Sequence, residues 1–311
     1  MRVVIAGGGG FLGGPLAWAW AEDGHDVRVL TRGLAPGQAQ HESGTGRPGI
    51  TRVGWEPDGS AGQLAREFDG AAAVVNLAGT SIAGGRWTPA RKKAIHDSRI
   101  RATQSLAAAF GGVASPPGTF ISASGVGYYG DRGSDVLTES AAPGSDFLAN
   151  VCVAWEAEAR RAERSGVRVV LLRTGMVLEK EGGALPRMMR PFRFFVGGPI
   201  AGGRQYVSWI HRHDWTEMVR WIVETPDVAG PLNVTAPHPV TNRDLARALG
   251  RALRRPALAP APRVVLKLAL GEMAEGLLFA SQRAVPSRAL AAGYHFRYPE
   301  IDIAFRGIFG D

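Results

Sequence analysis

The sequence predicts an α/β fold in which a doubly wound parallel sheet carries a smaller C-terminal α/β lobe. Short β-branched runs alternate with helical stretches up to about residue 175, the pattern of a parallel sheet covered by helices on both faces. A run of glycines joins the first strand to the first helix, and beyond residue 175 the pattern becomes irregular and rich in glycine and proline. We therefore assign residues 1–175 to the sheet domain, to which 206–234 return, and 176–311 mainly to the smaller lobe.

Short apolar runs rich in valine and isoleucine mark the strands of the first domain. We predict them, in order, at residues 3–5, 27–30, 74–77, 120–122 and 167–172. The first helix follows the glycines and reaches residue 20. The second starts at Thr88 and Pro89, an N-cap followed by a proline at the first helical position, and runs to about residue 110. The third covers about 147–165 and ends at Gly166, a glycine C-cap.

The second half of the chain gives fewer signals. We predict a helix over about 212–224 and a strand over 231–234, both belonging to the main sheet domain. His211 and Asp214 lie at the start of that helix and are read as a cap rather than a catalytic pair. Thr241 opens another capped helix. The stretch 264–279 is apolar but interrupted by charges, which predicts one amphipathic helix.

Composition excludes several classes of protein. The chain has 311 residues, is 45% hydrophobic and 21% charged, and has a mean hydropathy of -0.04, values typical of a folded globular protein. Its net charge of +8 comes from scattered arginines, so we expect no nucleic-acid partner. No run approaches the ~20 apolar residues of a membrane span, so we expect no membrane partner. The single cysteine, Cys152, forms no internal disulfide and suggests a reducing, cytoplasmic location.

The glycine run is the first functional motif. The strand at 3–5 leads into a loop that fits G-x-x-G-x-x-G, with Gly7, Gly10 and Gly13, and equally G-x-G-x-x-G, with Gly8 as the first glycine. Such glycines allow a tight turn, close approach of backbone amides to a pyrophosphate, and packing of the helix on the strand. The helix N-terminus then faces the phosphates. The loop therefore predicts a Rossmann-type dinucleotide site.

The end of the second strand indicates which dinucleotide binds. An acidic residue about 20 positions after the loop would bind the ribose 2′-hydroxyl of NAD. This chain has Thr31 and Arg32 there instead, and a hydroxyl and a guanidinium suit a 2′-phosphate. We therefore predict NADP(H) as the cofactor. The alternative is that Arg32 is simply a solvated side chain at a strand end.

With these motifs in place, the whole chain resembles the extended type of the short-chain dehydrogenase/reductase superfamily, the NAD(P)-dependent epimerases and dehydratases. The loop from Ala6 to Gly13 and the Asn-Leu-Ala-Gly segment at 76–79 carry this resemblance. An atypical epimerase-like subgroup of unknown substrate is more similar still. The segments that match it are Arg86-Trp87-Thr88, Ser98-Arg99, Gly127-Tyr128-Tyr129-Gly130, Ser208-Trp209-Ile210-His211 and the tail from Gly271 to Pro286.

The same resemblance exposes a departure from the superfamily. Its members carry a Tyr-x-x-x-Lys motif, in which the tyrosine is the general acid/base and the lysine lowers its pKa. Leu148 and Cys152 stand at these two positions, and Arg99 replaces an asparagine of the preceding helix. Ser124 fits the superfamily's serine after the fifth strand, and Ser122 fits it less well. The subgroup resemblance implies the arginine and cysteine exchanges as well.

The side chains that remain as candidates for the chemistry each have an alternative. Ser124 would lie beside the cofactor, by analogy with the superfamily, or cap the end of its strand. Tyr128 or Tyr129 would supply the missing proton, or both would line a pocket. Cys152 would pack beside the nicotinamide ribose, fill the core, or act as a reactive thiol. Arg99 would face the cofactor in place of the lost lysine, or be an exposed helix residue. We take Ser124, Tyr128, Tyr129 and Cys152 as the candidate catalytic set.

The resemblance also implies which residues contact the cofactor. Among them Trp55 would border the adenine, and the alternative is that it is a plain surface residue. The full set is Gly7, Gly10, Phe11, Leu12, Gly13, Thr31, Arg32, Trp55, Leu77, Ala78, Gly79, Arg99, Ser122, Thr174, Gly175 and Met176. No metal-ligand spacing and no catalytic triad appears. We predict an NADP(H)-dependent oxidoreductase or epimerase-like enzyme acting by hydride transfer on a small carbonyl or alcohol, as monomer or homodimer. The alternative is a non-catalytic NADP(H)-binding sensor or scaffold.

Overall fold

A computed structural model describes residues 1–42 and 49–310. Its strands are β1 Arg2–Ala6, β2 Asp26–Thr31, β3 Ala39–Glu42, β4 Ile50–Gly54, β5 Ala73–Asn76, β6 Thr119–Gly125, β7 Val136–Leu137, β8 Arg168–Thr174, β9 Met176–Glu179, β10 Gly182–Gly183, β11 Tyr206–Val207, β12 Trp209–His211, β13 Gly230–Val234, β14 Val240–Thr241 and β15 Arg283–Ala284. Its α-helices are α1 Gly13–Glu22, α2 Ala65–Phe68, α3 Pro89–Phe110, α4 Phe147–Arg160, α5 Leu185–Arg193, α6 Arg212–Glu224, α7 Asn242–Leu253, α8 Arg263–Leu270, α9 Glu272–Ala274, α10 Ser287–Ala291 and α11 Ile301–Phe309.

The central sheet has the strand order β13-β8-β6-β5-β1-β2-β4-β3 in the described residues. Every neighbouring pair is parallel except β3 and β4, so the doubly wound parallel sheet predicted from the sequence is confirmed. The antiparallel strand β3 is not predicted, because its sequence lacks a β-branched run. β13 lies at the other edge of this sheet, as expected for 231–234. In such sheets ligands bind at the carboxyl ends of the strands, where the order reverses beside β1.

Alternating residues of each strand pack on opposite faces of the sheet. Val3 and Ile5 of β1 face a core cluster that includes side chains of α1 and α6, among them Trp20 and Trp215. Val4 faces the second cluster, to which α2 and α3 contribute. Helix α4 packs beside α3 on that second face.

The expected caps at Thr88, Thr241 and Gly166 are confirmed, and Asp146 adds a cap that the sequence analysis does not predict. The side chains of Thr88, Asp146 and Thr241 each accept a backbone N–H of the first turn of α3, α4 and α7, respectively. After α4 the chain tightens into a 3₁₀ turn and ends at Gly166 in the left-handed conformation. The prediction of one helix over 264–279 is wrong. Gly271 has a φ of +63° and separates α8 from α9 and a π turn at Glu275–Phe279.

The C-terminal segments form a third core cluster, built from α5, α7 and α11 with Trp209 of β12. Two connections tie this part of the chain to the sheet domain. The strand β15 pairs with β7, and β12 pairs with β9, which directly follows β8. The boundary at residue 175 therefore stays a prediction. No helix in the described part of the chain is both long and apolar enough to span a membrane.

Candidate functional site

The glycine loop between β1 and α1 has the geometry of a phosphate-binding turn. Gly7 has a φ of +83°, and a Cβ there would lie 2.8 Å from the carbonyl carbon of Leu77. A Cβ at Gly13 would lie 2.7 Å from the Cα of Gly8. Only glycine fits both positions, so the loop lies tightly between β5 and the start of α1. The first turn of α1 and the amides of the loop are then directed at any phosphate bound there.

The segment that follows β5 is the second side of this cradle. The amide of Leu77 donates to the carbonyl of Ala6 at 2.8 Å, which continues the pairing of β5 with β1. The side chain of Asn76 accepts the amide of Ala78 at 3.2 Å and donates to Thr103 on α3 at 2.8 Å. The fully buried Asn76 therefore shapes the turn and has no access to a ligand. We call the glycine loop, the end of β2 and residues 76–79 the cofactor cradle.

The end of β2 presents Thr31 and Arg32 at the edge of the cradle. The Thr31 hydroxyl accepts the amide of Gly33 at 3.2 Å, and Arg32 is exposed. Trp55 lies next to them, because its amide donates to the carbonyl of Thr31 at 3.0 Å. Its side chain is only 5% exposed and belongs to the core cluster on the α3 face, so it is not a surface residue. The contact of Trp55 with an adenine stays a prediction.

Two other predicted contacts flank the loop. The ring of Phe11 lies against β10, where a Cβ at Gly183 would be 2.9 Å from a ring carbon. Leu12 packs at the edge of the α1 core cluster. Ser122 does not reach the cradle surface, because its side chain is fully buried and its hydroxyl accepts from Asn76 at 3.4 Å. The Ser122 side chain therefore stabilises the turn at 76–79, and the contact of Ser122 with the cofactor stays a prediction.

Arg99 is half-buried in α3 and turned toward the cradle, so the alternative of an exposed helix residue is wrong. Its Nη1 donates to the carbonyls of Thr80 and Ile95, each at 3.0 Å. Its guanidinium lies 5.1 Å from the Trp155 ring and directly below Gly79, where a Cβ would be 3.2 Å from it. Burial lowers the pKa of Arg99. The arginine therefore brings a positive charge under the 76–79 turn.

Ser124 belongs to a buried polar group that sequence reasoning missed. Its hydroxyl donates to Oε1 of Glu156 at 2.8 Å, and Arg173 donates to both oxygens of Glu156 at 2.9 Å. All three side chains are less than a tenth exposed. Burial alone would lower the pKa of Arg173, but the bidentate contact with Glu156 raises it above its usual range. We call these three residues the Ser124 network. The sequence feature that could have indicated it is Glu156, a glutamate on an otherwise apolar face of α4.

Tyr129 does not match the prediction of an accessible proton donor. Its side chain is fully buried, its hydroxyl donates to Asn233 at 2.7 Å, and it accepts from Arg173 at 3.2 Å. Burial raises the pKa of Tyr129 despite these contacts. Tyr129 is thus a core residue that helps to position the buried Arg173. Tyr128 is only partly buried, and its ring stacks on the Arg173 guanidinium at 3.4 Å. Tyr128 remains the candidate donor of the pair.

Cys152 lies on α4 where the superfamily places a lysine, and its environment keeps the thiol protonated. The side chain is 7% exposed, and Sγ donates to the carbonyl of Gly125 at 3.8 Å. Burial raises the pKa of Cys152 to about 11, while a hydrogen bond with Ser124 opposes that rise. A thiol of this kind is a poor nucleophile at neutral pH, which argues against the reactive-thiol alternative.

Leu148, at the tyrosine position, is enclosed by apolar neighbours. A Cβ at Gly127 would lie 3.2 Å from the Cβ of Leu148, and a Cβ at Gly276 would lie 2.8 Å from the Trp87 ring. Leu148 packs at the edge of a cluster formed by Trp87, Ile95 and Met273. The C-terminal segment thus covers the place of the missing acid with hydrophobic side chains.

The end of β8 closes the site on its other side. The amide of Gly175 donates to the carbonyl of Val234 at 3.1 Å, and that of Met176 donates to Ser208 at 2.8 Å. A Cβ at Gly175 would lie 2.6 Å from the carbonyl oxygen of Ser208, so glycine is required there. The Thr174 hydroxyl accepts from Trp215 at 3.3 Å. The contact of Thr174, Gly175 and Met176 with the cofactor, which the resemblance implies, stays a prediction.

His211 and Asp214 act as structural groups, in line with the cap expected at this helix start. Nδ1 of His211 accepts the amide of His213 at 3.0 Å and so caps α6. The Asp214 carboxylate accepts the amides of Arg297 and Tyr298 at 3.0 and 2.9 Å. Burial lowers the pKa of His211 to about 4. Neither residue belongs to the cofactor cradle or the Ser124 network.

Comparison with known proteins gives matches along almost the whole chain. Residues 3–235 match the model of the NAD dependent epimerase/dehydratase family, and residues 261–308 match a domain of unknown function. The epimerase family protein YfhF of Bacillus subtilis is 38% identical over 312 residues, which cover 100% of this chain and 99% of that protein. An epimerase family protein of Arabidopsis thaliana, described as chloroplastic, is 37% identical over 99% of this chain and 86% of its own length.

A solved structure is similar over the same length. The crystal structure of the human epimerase family protein SDR39U1 (isoform 2) with NADPH has a TM-score of 0.88 and 34% sequence identity. The match covers 100% of both chains. The resemblance that the sequence motifs carried is therefore confirmed, and so is the Rossmann-type fold.

Proposed function

Because this chain belongs to the NAD dependent epimerase/dehydratase family, we propose that it binds NADP(H) and transfers hydride between that cofactor and a small carbonyl or alcohol substrate. The observation that carries the proposal is the complete cofactor cradle beside the Ser124 network. The cofactor, when bound, supplies or accepts the hydride. The protein residues bind it, orient the substrate and manage the proton.

The cradle fits a dinucleotide with a 2′-phosphate. Gly7 and Gly13 allow the tight turn of the loop, because a Cβ at either position would collide with neighbouring backbone, and the start of α1 provides amides for a pyrophosphate. Arg32 is exposed at the end of β2, where the adenosine ribose of such a cofactor lies in this fold. The NADPH of the human relative supports the same choice of cofactor. Arg99 adds a positive charge beneath Gly79, on the side of the missing lysine.

Ser124 would orient the reacting oxygen of the substrate. Its proton is directed to Glu156, so its free lone pairs accept a hydrogen bond from a substrate hydroxyl. This arrangement favours an alcohol group at Ser124 and leaves the protonation of a carbonyl to another donor. Tyr128 or a water molecule would serve as that donor, because Tyr129 is fully buried.

A second candidate function is a non-catalytic NADP(H)-binding sensor or scaffold. The specific observation in its favour is the pair at the acid/base positions. Leu148 has no proton to transfer, and the Cys152 thiol, with a pKa of about 11, has no charge to offer at neutral pH. Loss of a positioned acid/base typically costs about 10²–10⁴-fold in rate.

Single-turnover oxidation of bound NADPH separates the two functions. The full chain in excess over NADPH is mixed with a library of small carbonyl compounds, and loss of NADPH fluorescence is followed. We expect oxidation with a subset of carbonyls. In the reverse direction, reduction of bound NADP⁺ by the corresponding alcohols is slowed about 10²-fold in Ser124→Ala at unchanged NADPH affinity. Asn150→Ala on the exposed part of α4 is the matched control and retains the full rate. Tight NADPH binding without oxidation by any carbonyl would reject hydride transfer and leave the sensor.

A further inference from the structure

Two helix ends in the C-terminal lobe converge on an exposed face that the cofactor site does not use. At the end of helix α5 the backbone amide of Phe195 donates to the carbonyl of Phe192, and that of Val196 to the carbonyl of Pro191, both at 3.0 Å. At the end of helix α7 the backbone amide of Arg254 donates to the carbonyl of Arg251 at 3.0 Å, and that of Arg255 to the carbonyl of Gly250 at 2.9 Å. These bonds define a Schellman motif at each helix end.

Both motifs place an unusual residue at their left-handed position. This position normally holds glycine, yet here it holds Phe195 with a φ of 61° and Arg254 with a φ of 54°. The two ends touch, because the Arg255 guanidinium lies 4.6 Å from the Phe195 ring. Large side chains are thus held outward at two adjoining turns whose backbone would be more stable with glycine. Outliers of this kind point to a function of the side chains themselves.

The side chains at this face are apolar and strongly exposed. Phe194 is 77% exposed, Phe195 61%, Val196 59% and Leu258 85%. They are neighbours, since the amide of Ala259 donates to the carbonyl of Gly197 at 3.1 Å and so brings the two segments together. Three consecutive large apolar residues in water are unfavourable, and such patches mark interaction surfaces. Helix α8 follows this segment and has no buried residue, with Val264 and Leu268 exposed as well.

Arginines surround the apolar residues. Arg190 and Arg193 on the last turn of α5 are exposed, and so are Arg254 and Arg255. Within the described part of the chain none of these four has a carboxylate partner. A cavity of about 440 Å³ beside Leu258 is lined by Arg247, Arg251, Arg254 and Arg255. We call Phe194, Phe195, Val196 and Leu258, together with Arg190, Arg193, Arg254 and Arg255, the Phe–Arg face.

We propose that the Phe–Arg face binds the surface of an anionic phospholipid bilayer, with the apolar residues inserted among the acyl chains and the arginines on the headgroup phosphates. Charge and hydrophobicity both select this partner. A nucleic acid or an acidic peptide would satisfy the arginines, but neither offers a continuous apolar layer for three consecutive large apolar residues. A bilayer presents negative charge at its surface and hydrocarbon directly beneath it.

The face would hold the protein at the membrane without spanning it. A few inserted side chains and four cations give reversible binding that weakens at high salt, because the arginine contribution is screened. The proposal replaces our expectation of no membrane partner, which rested on the lack of a spanning segment. It does not depend on the reaction at the cofactor cradle.

Binding to vesicles tests the proposal with the full chain. The protein is sedimented with vesicles of equal parts phosphatidylglycerol and phosphatidylcholine, and with vesicles of phosphatidylcholine alone. We expect at least about tenfold stronger binding to the anionic vesicles, lost at high salt. In a Val196→Cys variant labelled with an environment-sensitive fluorophore, emission shifts to the blue on these vesicles. Labelling is selective because Cys152 is buried.

Variants separate the face from the general charge of the protein. Phe195→Gly removes a ring and supplies the glycine that the turn prefers, so we expect a higher Tm together with about tenfold weaker binding to anionic vesicles. Arg190→Gln with Arg193→Gln weakens the binding and its salt dependence. The matched controls Leu290→Ser and Arg164→Gln change an exposed leucine and an exposed arginine elsewhere and leave binding intact.

Three outcomes would overturn the proposal. The first is absence of binding to anionic vesicles at low salt. The second is binding without the blue shift at Val196→Cys, which means that headgroups alone are contacted. The third is a blue shift without vesicles that grows with protein concentration, which identifies a second copy of this chain as the occupant of the face.

Discussion

The two halves of the candidate site differ in what they have kept. The cofactor cradle retains its required glycines, its capped turn at 76–79 and an exposed Arg32. The Ser124 network begins on β6, the direct neighbour of β5, yet its charges are all buried and paired, and apolar side chains enclose the position of the missing acid. The contrast teaches that the geometry of a dinucleotide site can persist in this fold without the Tyr-x-x-x-Lys pair, because the two are built on different elements, the glycine loop and α4.

The largest expected effect comes from removing Glu156, which tests whether the Ser124 network is structural. Glu156→Ala leaves Arg173 charged and buried without a partner, and we expect a loss of about 3–5 kcal/mol in the free energy of unfolding. Urea denaturation measures it. The control Glu163→Ala breaks an exposed pair with Arg160 and should cost less than about 1 kcal/mol. If Glu156→Ala lost no more free energy of unfolding than the control, the Ser124 network would not be a structural element of the fold.

The cradle is tested by adding a side chain where only glycine fits. In Gly13→Val the new carbons collide with the backbone of Gly7 and Gly8, so we expect NADPH affinity to fall at least about 100-fold, or about 3 kcal/mol. Fluorescence titration with NADPH measures it. At the next position, Gly14→Ala meets its nearest atom at 3.6 Å and should leave affinity unchanged. Equal affinity in the two variants would contradict the assignment of this loop.

Burial of the Cys152 thiol predicts that the stability of the fold depends on pH. The pKa of the Cys152 thiol is raised from 9.0 to about 11 by burial, so the thiol ionises in the unfolded chain before it does so in the folded one. The buried thiol contributes fully to the free energy of unfolding below pH 9, and this contribution is lost as the pH rises through 11. We expect the wild type to lose about 2 kcal/mol more than Cys152→Ala over this range. Parallel stability curves from urea melts at each pH would show that the thiol is not shielded.

The smallest expected effect concerns the choice between the two nicotinamide cofactors. Arg32→Ala should weaken NADPH binding about tenfold, or about 1.4 kcal/mol, and leave NADH binding unchanged, because only NADPH carries the 2′-phosphate. Isothermal titration with both cofactors measures the ratio. Arg164→Ala, an exposed arginine far along the chain on the 3₁₀ turn after α4, serves as the control. An unchanged NADPH to NADH ratio in Arg32→Ala would reduce Arg32 to a solvated strand-end residue.

The parts of the fold that the sequence predicts correctly are those with local signals. The start of α3 follows from Thr88 and Pro89, and the position of β8 follows from its run of apolar residues. The break at Gly271 was missed, because the apolar pattern continues across it while the left-handed φ is visible only in the structure. Tyr129 was misjudged for a related reason, since its burial depends on Asn233, far along the chain.

The sequence by itself determined the sheet, the glycine loop and the absence of the Tyr-x-x-x-Lys pair, because each of these depends on a local sequence pattern with fixed spacing. Only the tertiary structure decided which charges meet. Glu156 holds Ser124 and Arg173, and Arg255 lies over Phe195, through contacts between elements that are distant in the chain. Such contacts are set by how strands and helices pack, which no local pattern records.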